Sequence, residues 1–301
     1  MKEFQGKVAV ITGAAAGIGF AFAERAVHES MKVVIADIRP DALAAAKAKL
    51  EAEGGEVVAV TTDVTKEEDV KALAQAALDA FGKINVVFNN AGVAPTGVSW
   101  DIPPAVYRWA YDINIMGVVH GITTFVPILL EQDEECHIIN TASGAALASA
   151  PAFSLYASSK HAVLALTEGV WLDLMAKQVQ HVGVTAVMPG YIKSDIANWS
   201  KTIKDEHLRE QLETVINDPV AMATATPGIE ACADDGSGMP AAVCADMVFK
   251  AIANNDLYVL PNNDPNIPFD VAVAQGRTSG VNNYAVVMAA MAQQAQQAQT
   301  A

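Results

Sequence analysis

Short, fully apolar runs alternate with alanine-rich helical stretches along most of this chain, and no other feature restricts the fold as strongly. A strand that is apolar at every position, instead of at every second one, is typical of a sheet that is covered on both faces. Alternation of strands with helices implies right-handed crossovers and therefore parallel strands. The sequence predicts an α/β fold, a Rossmann-type doubly wound parallel sheet with helices on both faces.

The element boundaries follow from hydrophobic periodicity and from glycine and proline breakers. The predicted strands are Val8–Ile11, Val33–Ala36, Val57–Thr61, Val86–Asn89, His137–Thr141, Val182–Met188 and Leu257–Leu260. The predicted helices are Gly17–Ser30, Asp41–Glu53, Glu67–Phe81, Pro103–Gln132, Tyr156–Lys177 and Pro240–Ala253. We expect a single domain over residues 1–284, followed by an alanine- and glutamine-rich tail over residues 285–301.

The regular pattern loosens in the segment 191–240, which is more polar and is interrupted by glycine and proline. Connections of this length in compact domains are commonly functional, for example as active-site lids. We therefore expect the segment to be an insertion over the ligand site and not a separate domain.

Composition excludes several classes of protein. The 301 residues are 52% hydrophobic and 18% charged, which is enough apolar material for a folded core. A net charge of −15 argues against nucleic-acid binding, because such proteins need a basic surface. No uninterrupted apolar run reaches the length of about 18 residues that a membrane span needs. Sparse cysteines without metal-ligand spacing predict reduced thiols and no metal site; they are Cys136, Cys232 and Cys244.

The amino-terminal residues lead almost directly into the first predicted strand. That arrangement leaves no room for a signal peptide within this sequence. Together with the expected reduced thiols, it predicts a cytoplasmic protein without a membrane partner.

A glycine-rich stretch, Thr12–Gly19, joins the first predicted strand to the first predicted helix. Glycines let the backbone approach a pyrophosphate, which then lies at the positive end of the helix. The alternative is a tight turn that binds nothing. An acid about 20 residues further on favours a dinucleotide site. The predicted loop contacts are Gly13, Gly17, Ile18 and Gly19.

That acid is Asp37, at the end of the second predicted strand. A carboxylate there can accept the ribose hydroxyls of NAD and would repel the 2′-phosphate of NADP. The alternative is an ordinary solvated acid in a turn. Arg39 could accommodate a phosphate, whereas Ala16 leaves the loop without a basic residue. The sequence predicts NAD as cofactor and leaves NADP open.

The chain resembles the short-chain dehydrogenase/reductase family, in its single-domain form, over about residues 4–195 and more loosely over 240–261. A Tyr-x-x-x-Lys pair is common by chance, but a full set of motifs in the family's order is not. The ordered motifs are Thr12–Gly19, Asp63-Val64, Asn89-Asn90-Ala91-Gly92, Asn114, Ser143, Tyr156–Lys160 and Pro189-Gly190.

The resemblance implies further cofactor contacts at the adenine, beneath the cofactor and at the nicotinamide amide. Ser194 stands where the family usually has threonine and keeps the hydroxyl. The predicted adenine contacts are Asp63 and Val64, and the residues beneath the cofactor are Asn90, Ala91 and Gly92. The predicted nicotinamide loop contacts are Pro189, Gly190, Ile192 and Ser194.

Four polar residues fit hydride-transfer chemistry. A ketone oxygen that gains hydride must be protonated, and the reverse reaction needs a base, which Tyr156 can supply if its pKa falls from about 10 toward neutrality. Lys160 lies one helical turn away and supplies positive charge, and Ser143 follows a strand and can hold the substrate oxygen. By the resemblance, Lys160 also holds the nicotinamide ribose, and Asn114 anchors a water that links Lys160 to solvent.

Each of these residues has an ordinary alternative role as a surface pair, a loop cap or a buried helix residue. Their joint presence favours an oxidoreductase that moves hydride between a nicotinamide cofactor and a secondary alcohol or ketone. A nucleotide-sugar epimerase or dehydratase usually has a Gly-x-x-Gly-x-x-Gly loop and a larger carboxyl-terminal domain. A non-catalytic dinucleotide-binding regulator should have lost part of the tetrad. Both remain as alternatives.

The substrate side is apolar in sequence. The segment Ala145–Phe153 is rich in small apolar residues, which together with the long 191–240 insertion predicts a roomy cleft. More loosely, the chain resembles dehydrogenases of bulky aryl secondary alcohols, such as lignin-derived β-aryl ether alcohols. This looser resemblance rests on the stretches Met1–Gln5, Thr124–Pro127, Ile192–Ala197 and Asn255–Pro261. The predicted substrate contacts are Ser143, Tyr191 and Trp199.

Two long predicted helices, Pro103–Gln132 and Tyr156–Lys177, have more apolar surface than one sheet face needs. Excess apolar helix surface is typical of a helix-to-helix contact between subunits. We expect a symmetric homo-oligomer, and the resemblance implies a tetramer.

Overall fold

The computed structural model describes residues 1–261 apart from 195, 197–202, 204–205 and 234. Within them lie seven strands: β1 (Val8–Thr12), β2 (Lys32–Asp37), β3 (Glu56–Thr61), β4 (Val86–Asn89), β5 (Cys136–Thr141), β6 (Val182–Val187) and β7 (Tyr258–Val259). They form one parallel sheet in the order β3-β2-β1-β4-β5-β6-β7. The predicted Rossmann-type α/β fold is confirmed. Trp199 and the 285–301 tail lie outside the described residues.

The helices flank this sheet. They are α1 (Gly17–His28), α2 (Pro40–Ala52), α3 (Glu67–Phe81), α4 (Pro104–Tyr111), α5 (Gly117–Glu131), α6 (Ser154–Ala176), α7 (Glu206–Ile216), α8 (Pro219–Cys232) and α9 (Ala241–Asn254). With one exception, the strands and helices predicted from sequence end within two residues of those observed. Helices α7 and α8 lie in the segment 191–240, where the sequence indicated only irregular helical pieces.

The exception is the predicted helix Pro103–Gln132, which contains a π-helical segment, Asp112–Met116, between α4 and α5. Single π turns inside longer helices occur frequently at functional sites. By length and composition alone, the stretch Pro104–Glu131 could cross a membrane. However, Phe125 and Leu129 pack into the core beside the sheet, as in a core helix of a folded domain.

Strand residues alternate between two apolar layers. Val8 and Val10 pack on the α3 and α5 side of the sheet, whereas Ala9 and Ile11 pack on the α1 and α9 side. Burial on both faces explains why the strands are apolar at every position. The strand order reverses between β1 and β4, and ligands of such sheets bind in the crevice at the carboxyl ends of the strands there.

Two residues after the end of helix α6 at Ala176, Gln178 is in the left-handed conformation, with φ of 57°. The conformation costs an L-residue about 1–2 kcal/mol, and glycine avoids this cost but adds entropy to the unfolded chain. We expect Gln178→Gly to raise the free energy of unfolding by about 0.5–1 kcal/mol in a denaturant titration. Gln180→Gly, two residues on and without a positive φ, is the matched control and should not stabilise the protein. Loss of stability in Gln178→Gly would contradict the expectation.

Candidate active site

The loop from β1 to α1 is shaped by close backbone approach. Gly13 has φ of 66°, and a Cβ there would lie 2.9 Å from Ala91 Cα. A Cβ on Gly19 would lie 2.2 Å from the carbonyl oxygen of Gly13. Both positions therefore exclude a side chain, and the loop places the start of α1 at the carboxyl edge of the sheet. This cradle fits the pyrophosphate of a dinucleotide. Gly17, with φ of 57°, and Ile18 form the first turn of α1.

Asn90 locks this loop to the neighbouring strands. Its Nδ2 donates to the carbonyl of Thr12 at 3.0 Å, and its backbone N–H donates to Thr12 Oγ1 at 2.9 Å. Thr141 Oγ1, at the end of β5, donates to Asn90 Oδ1 at 3.2 Å. The predicted floor residues Asn90 and Ala91 thus connect the ends of β1, β4 and β5.

Gly92 connects that floor to the polar residues of the site. A Cβ on Gly92 would lie 3.2 Å from Asn114 Oδ1 and 3.4 Å from Lys160 Nζ. The backbone of Gly92 therefore runs directly beside two of the predicted catalytic side chains, and a larger residue there would crowd both.

Asp37 is 6% exposed and faces the glycine loop. Its Oδ2 accepts the backbone N–H of Ala15 at 3.2 Å. The guanidinium of Arg39 donates from Nε to Asp37 Oδ1 at 3.0 Å and from Nη2 to Oδ2 at 3.3 Å. Asp37 is therefore not a solvated turn acid but an oriented carboxylate at the loop. The sequence did not reveal its forked pairing with Arg39.

Asp63 and Val64 follow β3 beside that acid. Thr62, the residue before them, donates its backbone N–H to the carbonyl of Asp37 at 3.1 Å. Asp63 Oδ1 accepts the hydroxyl of Thr65 at 2.7 Å. The side chain of Val64 packs so closely on α5 that a Cβ on Gly117 would lie 2.9 Å from it. The predicted adenine pair thus lies at the same edge of the sheet as Asp37.

Ser143, Tyr156 and Lys160 come together at the carboxyl end of β5. Ser143 Oγ accepts the backbone N–H of Ala145 at 3.1 Å, and its hydroxyl lies close enough to Tyr156 to lower the pKa of that tyrosine. Lys160 follows one turn later on α6, and its Nζ donates to the carbonyl of Thr141 at 2.8 Å. The Nζ lies 5.8 Å from the centroid of the Tyr156 ring. This is the spatial grouping that the sequence predicts.

Burial controls the protonation of these residues. It raises the pKa of Tyr156 to about 12, although the neighbouring Ser143 hydroxyl acts in the opposite direction. It lowers the pKa of Lys160 to about 8. In the protein alone the pKa of Tyr156 therefore does not fall toward neutrality, because desolvation of its hydroxyl outweighs the effect of Ser143. At neutral pH Tyr156 therefore holds its proton, ready for donation.

Asn114 lies in the π-helical segment and is fully buried. Its Oδ1 accepts the backbone N–H of Val93 at 2.9 Å. Its Nδ2 donates to the carbonyl of Val93 and to Ser159 Oγ, each at 2.9 Å. The amide joins the loop after Gly92 to helix α6, so it fixes the frame that holds Tyr156 and Lys160.

The segment after β6 closes the site beside Ser143. The carbonyl of Pro189 accepts the backbone N–H of Gly144 at 2.8 Å, and Gly190 donates to the carbonyl of Pro261 at 2.8 Å. Ile192 is buried, Ser194 donates its hydroxyl to the carbonyl of Ile192 at 3.1 Å, and Tyr191 is half-exposed. Of the five predicted residues of this loop, Pro189, Gly190, Ile192 and Ser194 are thus held by hydrogen bonds or burial, and half of Tyr191 is exposed.

Two neighbours of Tyr156 were not predicted. The ring of Phe153 meets the Tyr156 ring edge-on, with centroids 5.6 Å apart. Cys232, at the end of α8, is close enough to contribute to the raised pKa of Tyr156. Phe153 ends the apolar segment noted in the sequence, but no local motif points to Cys232. Among the described residues, no cluster of three or more histidine, cysteine or acidic side chains could hold a metal ion.

Known proteins are similar to this chain in sequence and in fold. The sequence model of the short chain dehydrogenase family matches residues 7–204. A CLA biosynthesis dehydrogenase/reductase of Lactiplantibacillus plantarum is 33% identical over 268 residues, covering 88% of this chain and 91% of the relative. A 1-deoxy-11-beta-hydroxypentalenate dehydrogenase of Streptomyces exfoliatus is 40% identical over 192 residues, covering 63% of this chain and 69% of the relative.

A solved structure is also similar. It is a short chain dehydrogenase/reductase from Burkholderia phymatum in complex with NAD, with 40% sequence identity and a TM-score of 0.79. The match covers 86% of this chain and 90% of that one. The family match, the relatives and the shared parallel sheet agree. The chain is an oxidoreductase that belongs to the short-chain dehydrogenase/reductase family.

Proposed function

We propose that the protein transfers hydride between NAD and a secondary alcohol or the corresponding ketone. One observation carries the proposal: the neighbouring side chains of Ser143 and Tyr156, with Lys160 one turn away, lie at the same sheet edge as a glycine loop that excludes side chains. NAD, when bound, supplies the carbon that accepts or donates the hydride. The chain's own residues hold the substrate oxygen and move its proton.

In the reductive direction the substrate oxygen accepts hydrogen bonds from the hydroxyls of Ser143 and Tyr156. As that oxygen becomes negative, Tyr156 gives up the proton that its raised pKa lets it hold at neutral pH. Lys160, mostly protonated below its pKa of about 8, stabilises the tyrosinate that remains. In the oxidative direction the same groups act in reverse, with Tyr156 as base and Lys160 favouring its anion.

The preference for NAD over NADP rests on Asp37. Its carboxylate is fixed by the backbone of Ala15 and by Arg39, where the ribose hydroxyls of an adenosine would lie. A 2′-phosphate there would meet the carboxylate, and like charges in contact are unfavourable. We assign Asp63 and Val64 to the adenine, Asn90 to Gly92 to the floor, and the 189–194 loop to the nicotinamide.

The substrate side is proposed to take a bulky apolar or aromatic alcohol. Small apolar residues between Ala145 and Phe153 lie next to the reactive hydroxyls, and Tyr191 presents a half-exposed ring at the opposite loop. Residues 1–284 would form one catalytic domain, with 191–240 as an insertion that covers this cleft. Buried, unpaired cysteines are typical of a reducing compartment, which supports a cytoplasmic location.

The activity can be tested by the absorbance of reduced nicotinamide after mixing the protein, NAD and an alcohol panel. We expect a higher kcat/KM with 1-phenylethanol and 1,2-diphenylethanol than with 2-butanol. Equal kcat/KM values would contradict the apolar cleft but not the reaction. If calorimetry showed NAD binding and no alcohol were oxidised, the proposed reaction would be wrong and a non-catalytic dinucleotide-binding role would be favoured.

We also propose a homotetramer. Leu172 and Met175 on α6 are each 57% exposed, and the apolar stretch Pro104–Glu131 is only partly covered in the single chain. Exposed apolar helix faces are typical of subunit contacts. Light scattering at micromolar concentration should give four times the mass of the chain, and Leu172→Glu should lower it. A monomeric wild-type protein would contradict this proposal.

A further inference from the structure

Helix α7 packs on α4 and, through Val215, on the loop that follows β4. Its buried residues Leu212 and Val215 lie one turn apart on one face, while Glu206 and Glu213 are exposed. We call the apolar group beneath this helix the docking cluster. The docking cluster contributes Val93, Ile102, Val106 and Leu155 to the contact.

Two members of the docking cluster adjoin the reactive residues in the chain. Val93 follows Gly92, and its backbone is hydrogen-bonded in both directions to the Asn114 amide at 2.9 Å. Leu155 directly precedes Tyr156 in the first turn of α6. Through these two members of the docking cluster, the position of α7 is linked to the positions of Asn114 and Tyr156.

The tightest point of this contact is at Gly97. A Cβ on Gly97 would lie 2.2 Å from Val215 Cγ1 and 2.8 Å from Ile102 Cγ1. Gly97 donates its backbone N–H to the carbonyl of Ala152 at 2.8 Å, so its backbone is tied to the loop before α6. Its φ is not positive, so the backbone conformation itself would admit alanine. A methyl group at position 97 is excluded instead by the side chain of Val215, which occupies the space that the methyl group would need.

We infer that the packing contact between Val215 and Gly97 fixes the distance between α7 and the substrate cleft. That distance in turn selects the size of the alcohol that can reach Tyr156. This inference rests on the proposed function. Ile102 is buried and has little room to move, whereas α7 contacts the docking cluster by one face only. A methyl group at position 97 would therefore displace α7 outward and widen the cleft.

Three variants test this contact: Gly97→Ala, Val215→Ala and the double variant. Hydrogen exchange over residues 206–216, without any ligand, reports how firmly α7 is docked. We expect exchange in Gly97→Ala to be about tenfold faster than in the wild type, because overpacking costs about 1–3 kcal/mol. In the double variant, removing the Val215 methyl groups relieves the closer clash and leaves only the one with Ile102 Cγ1 at 2.8 Å, so most of the protection that Val215→Ala has alone should be restored.

Selectivity is the second measurement. With NAD, the ratio of kcat/KM for 1,2-diphenylethanol to that for 2-butanol should rise about fivefold in Gly97→Ala, as expected for about 1 kcal/mol of altered packing. It should return toward the wild-type ratio in the double variant, with KM for NAD unchanged throughout. A purely structural role would lower both activities together and leave their ratio unchanged. Glu213→Ala is the matched control, since it changes an exposed side chain of α7 and not the contact with Gly97.

An unchanged ratio in folded Gly97→Ala would overturn the inference, and so would a double variant that shows no recovery. If Gly97→Ala fails to fold, a folded double variant with the wild-type ratio of kcat/KM values supports the inference. An unfolded double variant overturns it. If the wild type oxidises no alcohol, the proposed function fails, and with it the part of the inference that concerns substrate size. The hydrogen exchange of residues 206–216 would then still decide whether the contact between Val215 and Gly97 positions α7.

Discussion

Tyr156→Phe is expected to lower kcat for alcohol oxidation by about 10²–10⁴-fold, the usual contribution of a positioned acid or base. The change removes only the hydroxyl that neighbours Ser143, while the ring keeps its edge-on contact with Phe153. The dissociation constant for NAD, measured by calorimetry, should stay close to that of the wild type. Steady-state kinetics with NAD and 1-phenylethanol give the comparison.

Tyr258→Phe is the matched control for this experiment. Tyr258 lies on β7, donates to Glu168 Oε1 at 2.8 Å and also has a pKa raised to about 12 by burial and that carboxylate. Because its hydroxyl bonds to Glu168 and not to the site, turnover should be unchanged. Near-normal turnover in Tyr156→Phe would show that another group moves the proton, and the proposed mechanism would be wrong.

The parts of this molecule that sequence predicts well are those fixed by local pattern. A run such as Val8–Ile11 is apolar at every position because both faces of the strand are buried, and that is visible without a structure. The glycine loop is equally local, because the close approach of Gly13 and Gly19 to their neighbours leaves only one residue type at each. The spacing of Tyr156 and Lys160 follows from helical geometry alone.

The parts that sequence misses depend on partners far along the chain. The π-helical turn at Asn114 is associated with contacts to Val93 and Ser159, which are 21 and 45 residues away. The helix pattern in sequence is the same with or without that turn. The pKa of Tyr156 depends on how much protein covers its hydroxyl, and the residue types alone suggested a shift in the opposite direction.

The same reason explains why the packing of helix α7 could not be predicted. The docking of α7 depends on a missing side chain at Gly97 and on Val215, more than one hundred residues later. Neither residue belongs to a motif, and only the folded chain brings them together. Side-chain packing between distant residues is hard to recognise in a single sequence, whereas a main-chain constraint that requires glycine is easy to recognise.

Asp37→Ser should change the cofactor preference strongly. We expect the ratio of kcat/KM for NAD to that for NADP to fall by about 100-fold, since contact between like charges costs several kcal/mol. Two effects act in the same direction. The carboxylate that would repel a 2′-phosphate is removed, and Arg39 loses the forked pairing that holds its guanidinium on Asp37. An arginine released in this way can pair with the phosphate.

Two companion variants separate these effects. Asp41→Ser removes an exposed acid from the first turn of α2 and should leave the preference unchanged, which excludes a general effect of net charge. Asp37→Ser combined with Arg39→Ala should lose most of the gain in kcat/KM for NADP while keeping the loss for NAD. If the double variant used NADP as well as Asp37→Ser alone, removal of repulsion would be sufficient. A wild-type protein that prefers NADP would show that Arg39 outweighs Asp37, because the paired guanidinium would then exchange its carboxylate partner for the phosphate.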